Sequence, residues 1–252
     1  MAETSTPATV DRVAPEVLAT LREVSTATLS SQLLKRGFRQ LFMHGVMPLR
    51  PDLRLAGQAF TLRYIPARED LERGSASTDF DNTTNKQRVA VERVGPGDVL
   101  VIDARGDTRG ATLGNILAAR IKARGAAGIV TDGAFRDTPA IRAIDLPTYA
   151  RGQHPNISFT VHHPVDIGVP IACGGVAVLP GDVIVGDGEG VIVIPRAIAE
   201  EVARDAREQE RREEFILAKI EGGSSILGVY PPSEETLREY EAWQAGSRAV
   251  GQ

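Results

Sequence analysis

The sequence predicts an α/β fold, a single domain over residues 1–252 with a mixed β core and peripheral helices, and three observations carry that reading. The first is a strand, helix, strand run. It comprises GDVLVID at 97–103, a helical stretch from Leu113 to Arg124 closed by Gly125, and GIVT ending at Asp132 and Gly133. Leu113, Ile116, Leu117 and Ile121 recur at helical spacing and predict one buried face. The order of these elements is that of a parallel crossover unit. The second observation is a series of short apolar segments (VPIACG, GVAVL, GDVIVGD, GVIVIP) broken by Gly and Pro, which predicts a β-rich half packed on the crossover half. The third is the stretch from Glu200 to Ile220, whose RDAREQERREE run alternates in sign as a solvated or oligomer-facing helix does.

The remaining elements follow in chain order. Residues 1–12 are small and polar and are expected to form an arm. Helical spacing begins with Val17, Leu18 and Leu21, and a second helix is expected from Ser25 through Lys35, ending at Gly37. GQAFTLRYI at 57–65 alternates as a strand, and residues 68–87 read as a long polar loop. Thr138-Pro139-Ala140 opens a further helical turn. The α/β core thus spans 13–198 and a helical C-terminal extension spans 199–252, with Trp243 as an anchor for its last helix.

Composition narrows the function classes. Net charge is −4, and the 29 basic and 33 acidic residues are interspersed, which leaves no electrostatic footprint for nucleic acid or an anionic membrane. Cys173 is the one cysteine, so a disulfide within the chain and a thiolate metal cluster are both excluded, and a buried structural thiol is expected. No apolar run approaches the ~20 residues that span a bilayer, and the N-terminus lacks a signal pattern, so a cytoplasmic location is expected. Of four histidines only His162 and His163 are adjacent, and neighbours on a strand point to opposite faces; structural or surface roles are expected of them.

The chemistry-bearing segment is 110–137. A helix opening near Gly114 presents backbone N–H groups without partners at the positive end of its dipole, a natural seat for a carboxylate or phosphate. Gly110 and Gly114 let a ligand approach the backbone. Arg136 and Asp137 follow a strand, where a parallel sheet presents its ligand-binding loops. Arginine suits a carboxylate or oxo group and aspartate a hard cation. The alternative is an Asp137 N-cap for the helix at Thr138 and an Arg136 surface ion pair. Asp103, Arg105 and Asp107 either line the same cleft or belong to a solvated loop, and Asp81 or Asn82 are further candidates from the long loop.

The run GNILAARIKARGAAGIVTDGAFRD, with GVPIACGGVAVLPGDVIVGDGEGVIVIP, resembles the family of the regulator of ribonuclease activity A and the 4-hydroxy-4-methyl-2-oxoglutarate aldolases, which are class II pyruvate aldolases. The resemblance covers residues 57–198. It implies a compact, layered α/β sandwich assembled as a homotrimer or dimer of trimers. It also implies a lyase that cleaves 4-hydroxy-2-oxo acids or decarboxylates oxaloacetate with Mg2+ or Mn2+, through an enolate stabilised by the ion. Carried over, Asp137 is the metal ligand and Arg136 the pyruvyl binder. Leu113, Gly114, Asn115, Ile116 and Leu117 provide the amides for the carboxylate. The family has an acidic residue separated from the Arg-Asp pair by twenty intervening residues, and this chain has Asn115 there, an amide that cannot act as a base. Asp187 or Glu189 of a neighbouring subunit is the candidate acid, against a simple polar turn. A sugar-acid hydro-lyase or isomerase and a non-catalytic regulator of a ribonuclease remain the alternatives.

Overall fold

A computed structural model of the chain describes residues 11–70 and 81–250, with side chains to residue 246. Residues 1–10 of the expected arm and 71–80 of the expected loop lie outside the described residues. The chain divides into two compact units, one ending at Ala203 and one beginning at Arg204.

The first unit runs α1 (Pro15–Glu23), α2 (Thr26–Lys35), β1 (Met47–Pro48), β2 (Leu55–Pro66), α3 (Lys86–Arg93), β3 (Asp98–Asp103), β4 (Ala111–Leu113) and α4 (Asn115–Ala123). It continues with β5 (Gly128–Phe135), α5 (Thr138–Arg142), β6 (Thr148–Gln153), β7 (His162–Ile167), β8 (Ile171–Cys173), β9 (Val176–Val178), β10 (Val183–Gly186) and β11 (Val191–Ile194). Helix α6 (Ala199–Glu221) starts in this unit and passes into the second, which ends with α7 (Glu234–Val250). Within the second unit Trp243 packs 5.7 Å from Phe215 and 6.0 Å from Tyr240, ring centre to ring centre.

One nine-stranded mixed sheet organises the first unit, in the order β1-β6-β5-β3-β2-β10-β11, with β4 on β5 and β7 on β2. Strands β2, β3, β5 and β6 pair in parallel, as does β4 with β5, and the remaining pairings are antiparallel. β3 and β5 are buried along their whole length, which is why DVLVID and GIVTDGAF read as continuous apolar runs rather than alternating ones. β1 and the segment before it link the two sheet edges: Phe42 bridges Ile192 on β11, while Met47 and Pro48 of β1 pair with β6. Two apolar clusters flank the sheet, one built on Leu62, Leu100, Ile121 and Phe135, the other on Val101, Val130, Ile184 and Val193.

Several sequence expectations are corrected. No separate β-rich half exists, because β10 and β11 join the main sheet through β2 and only β8–β9 forms its own hairpin. Helix α4 starts at Asn115; Leu113 belongs to β4, and its buried residues are Ala118 and Ile121, whereas Ile116 is 79% exposed. β5 continues past Asp132 to Phe135, since Asp132 turns its carboxylate into the protein and accepts from the Ala104 and Gly106 amides at 2.7 and 2.9 Å. The expected polar loop ends in helix α3, capped by Asn85, whose side chain accepts from the Arg88 amide.

Candidate functional site

β4 pairs in parallel with the end of β5, Ala111 opposite Ala134 and Leu113 opposite Phe135. That register sets the start of α4 beside Arg136 and Asp137, and the Arg136 amide donates to the Leu113 carbonyl at 3.1 Å. Contact is close enough to require glycine. A Cβ at Gly114 would stand 2.6 Å from Asp137 Oδ2 and 2.9 Å from Arg136 Cγ. Leu113, Gly114, Asn115, Ile116, Leu117, Arg136 and Asp137 all border one pocket of about 330 Å³, at the small end of the range for small-molecule sites.

At the pocket the start of α4 lies beside a guanidinium and a carboxylate. Gly114 occupies the N-cap of α4 and provides no side-chain acceptor, so the first amides of the helix keep their donor capacity toward the pocket. Arg136 Nε lies 3.2 Å from Asp137 Oδ2, and both side chains are 38% exposed. Asp137 adopts the left-handed conformation at φ 56° and makes no side-chain cap. Its carbonyl instead accepts from Ala140 and Ile141 at 2.9 and 3.0 Å, so the N-cap reading holds for the backbone and leaves the carboxylate turned to Arg136.

The opposite wall was not legible in the spacing. Asn85, Gln87 and Arg88 enter from α3, Ile157, Ser158 and Phe159 from the segment before β7, and His162 from β7 itself. Gln87 donates its side-chain amide to the Thr112 carbonyl, and the Tyr64 hydroxyl donates to the same oxygen at 3.2 Å. Burial pushes the Tyr64 phenol up to about 12, so it stays protonated and keeps its donor. His162 is fully buried, stacks on Tyr64 with ring centres 5.4 Å apart, and has Nε2 3.0 Å from the Gly110 carbonyl.

The other candidates lie elsewhere in this chain. Asp187 accepts from the Thr26 amide and hydroxyl at 2.8 and 2.9 Å and from the Glu189 amide at 2.9 Å, fastening α2 to the β10–β11 turn. Asp103 accepts from the Arg105 and Ala172 amides, and Asp107 pairs with Arg109. Asp81 binds its own turn through Thr83 and Thr84. None of these borders the pocket. Cys173 is buried and its thiol is pushed well up by burial and by Asp132 and Asp103, as an inert structural thiol requires.

Among the described residues no group of three or more His, Cys, Asp or Glu side chains could hold a metal alone. The donor set is one carboxylate, Asp137, held against Gly114 in a pocket open to ligand. That suits Mg2+ or Mn2+, which keep waters and are bound through one or two carboxylates plus the ligand's oxygens. It does not suit a preformed metal cage.

Fold and pocket together define an α/β protein in which the start of one helix and an Arg-Asp pair border the same cavity. The RraA-like family, described as Aldolase/RraA, matches residues 26–193, and the chain belongs to it. A Halalkalibacterium halodurans protein provisionally named as a 4-hydroxy-4-methyl-2-oxoglutarate aldolase is 42% identical over 126 residues, 50% of this chain and 59% of that protein. Protein DlpA of Legionella pneumophila is 27% identical over 84% of this chain, a match spanning 33% of DlpA. The chain therefore spans less than two thirds of either relative. Among solved structures, Streptomyces coelicolor RraAS2, described as an unusual member of the RNase ES inhibitor RraA family, superposes with TM-score 0.73 at 35% identity, covering 81% of this chain and 97% of that one. An uncharacterized Pseudomonas syringae protein superposes with TM-score 0.74 at 27% identity, covering 87% and 99%. Among the described residues no helix is long and apolar enough to cross a membrane.

Proposed function

We propose that the pocket binds a pyruvate-like 2-oxo acid together with Mg2+ or Mn2+ and cleaves the bond beyond C3, as an aldolase or an oxaloacetate decarboxylase. The observation that carries this reading is the contact of Gly114 with Arg136 and Asp137, which joins the anion seat of α4 to a cation ligand and a guanidinium in one pocket. Relatives named as aldolases of a 4-hydroxy-2-oxo acid support the lyase class.

The amides at the start of α4 take the substrate carboxylate, and Arg136 takes the 2-oxo oxygen, where negative charge develops as the bond breaks. Asp137 holds the ion. When bound, the ion supplies Lewis-acid withdrawal of electrons from the 2-oxo group. Asn115, at the position of the family's acid, orients water or substrate by hydrogen bonding and leaves proton transfer to another group. Sites at the boundary of a trimer follow from the family reading, and Ile116, exposed at the rim of the pocket, is the residue such a boundary would cover.

A second reading, a protein-binding regulator of a ribonuclease, is favoured by Asn115 and by the likeness to RraAS2 of the RNase ES inhibitor family. A sugar-acid hydro-lyase using the same enolate chemistry is distinguished by product. The test is pyruvate release from 4-hydroxy-4-methyl-2-oxoglutarate and from oxaloacetate, with Mg2+ or Mn2+ and with chelator. Metal-dependent release lost in Asp137→Ala is the expected result. A protein that binds pyruvate yet releases none from either acid belongs to the hydro-lyase reading, and one that binds neither pyruvate nor metal to the regulator.

A further inference from the structure

One pocket residue has an unsatisfied hydrogen-bonding atom. His162 Nε2 faces the Gly110 carbonyl at 3.0 Å, and a carbonyl can only accept, so Nε2 carries the ring proton and Nδ1 the lone pair. Nδ1 is buried and has no hydrogen-bond partner. Orphan buried acceptors are rare and point to a missing partner. The ring cannot turn to find one, since Tyr64 stacks on it at 16° and Gly110 holds its other nitrogen. Its surroundings are the Tyr64 ring on β2, Arg105, Asp107 and Arg109 from the β3–β4 loop, and α3, packed on β7 and carrying Gln87 and Arg88. Burial holds the imidazole below its usual range, which keeps it neutral. The α4 amides, Arg136 and the Gln87 side-chain amide donate, Asp137 is assigned to the cation, and Asn85 Oδ1 already accepts from the Arg88 amide, while the Asn115 and Ser158 side-chain oxygens are further acceptors on the walls.

We propose that His162 Nδ1 accepts the hydrogen bond of a hydroxyl on the bound 2-oxo acid, selecting 4-hydroxy-2-oxo acids over their deoxy counterparts. This rests on the pocket binding a 2-oxo acid, as argued above. In cleavage the same atom does what Asn115 cannot. The hydroxyl proton passes to Nδ1 as C4–O becomes a carbonyl. The C3–C4 bond breaks, and its electron pair stays on the pyruvyl half as an enolate beside Arg136. The imidazolium then returns the proton to C3, giving pyruvate and regenerating neutral His162.

The test is binding of 4-hydroxy-2-oxoglutarate and 2-oxoglutarate by wild type, His162→Phe and His162→Gln, with Mg2+ present and rapid mixing so that binding is read before turnover. Wild type should prefer the hydroxy acid about tenfold, the worth of one buried hydrogen bond. His162→Phe should lose that preference and keep its affinity for 2-oxoglutarate, and His162→Gln, which still offers an acceptor, should retain part of it. If His162→Phe does not fold, the 15N resonance of wild-type Nδ1 decides: it should move with the hydroxy acid and not with 2-oxoglutarate. Equal binding of the two acids by wild type, or equal loss of both in folded His162→Phe, overturns the role of His162 alone. Wild type that binds neither acid overturns it together with the reading of the pocket.

Discussion

Gly114 holds the pocket together by having no side chain. The Asp137 carboxylate and the Arg136 stem occupy the volume a methyl group would take. Gly114→Ala is therefore expected to displace the pair, and displacement of this order costs about 100-fold in kcat/KM. Stability should stay within about 1 kcal/mol, because flexible side-chain ends rather than backbone give way. Steady-state kinetics beside a urea melt separates the two effects. Gly114, Arg136 and Asp137 were legible in the sequence because each sits at a junction between strand and helix, where glycine and charge stand out from an apolar background, and Asn115 through the family resemblance alone. His162 was not. It carries its chemistry only through the pairing of β7 with β2, which puts it on Tyr64 from almost a hundred positions away.

At the scale of elements, short parallel strands and the helices between them were readable from apolar runs bounded by glycine. Their assembly into one sheet was not, because β10 pairs with β2 across more than a hundred residues and no local signal encodes that partner. Leu113 was read into the helix because leucine suits both states; pairing with Phe135 on β5 decided for strand. The burial of His162 at the start of β7 has a consequence for pH. His162 is lowered from 6.5, chiefly by burial, so the unfolded chain binds its proton more readily than the folded one. Its contribution to stability is then fully present above pH 6.5 and is lost as pH falls through the lowered folded value. Urea midpoints should fall between pH 7.5 and 5.5, and the fall should shrink in His162→Gln. An unchanged slope in that variant would assign the pH dependence to other groups.

At the scale of the whole molecule, all pocket residues belong to the first unit, between Asn85 and Pro164. Ile116 stands in the first turn of α4 at the pocket, 79% exposed, and an apolar side chain so placed suits a covering subunit. Ile116→Glu is expected to shift the mass seen by light scattering from trimer toward monomer and to lower activity with it. A wild-type monomer with full activity would remove the subunit boundary from the account. Composition acts at this scale too: one cysteine cannot form a thiolate cluster within the chain.

The central claim is that Asp137 and a 2-oxo acid hold one cation between them. Titrating Mn2+ by electron paramagnetic resonance, with and without pyruvate, tests it most directly. With one carboxylate as protein ligand, Mn2+ alone should bind weakly, pyruvate should tighten it about tenfold or more, and Asp137→Ala should abolish the gain. Mn2+ binding that ignores pyruvate, or that survives Asp137→Ala unchanged, would contradict the account.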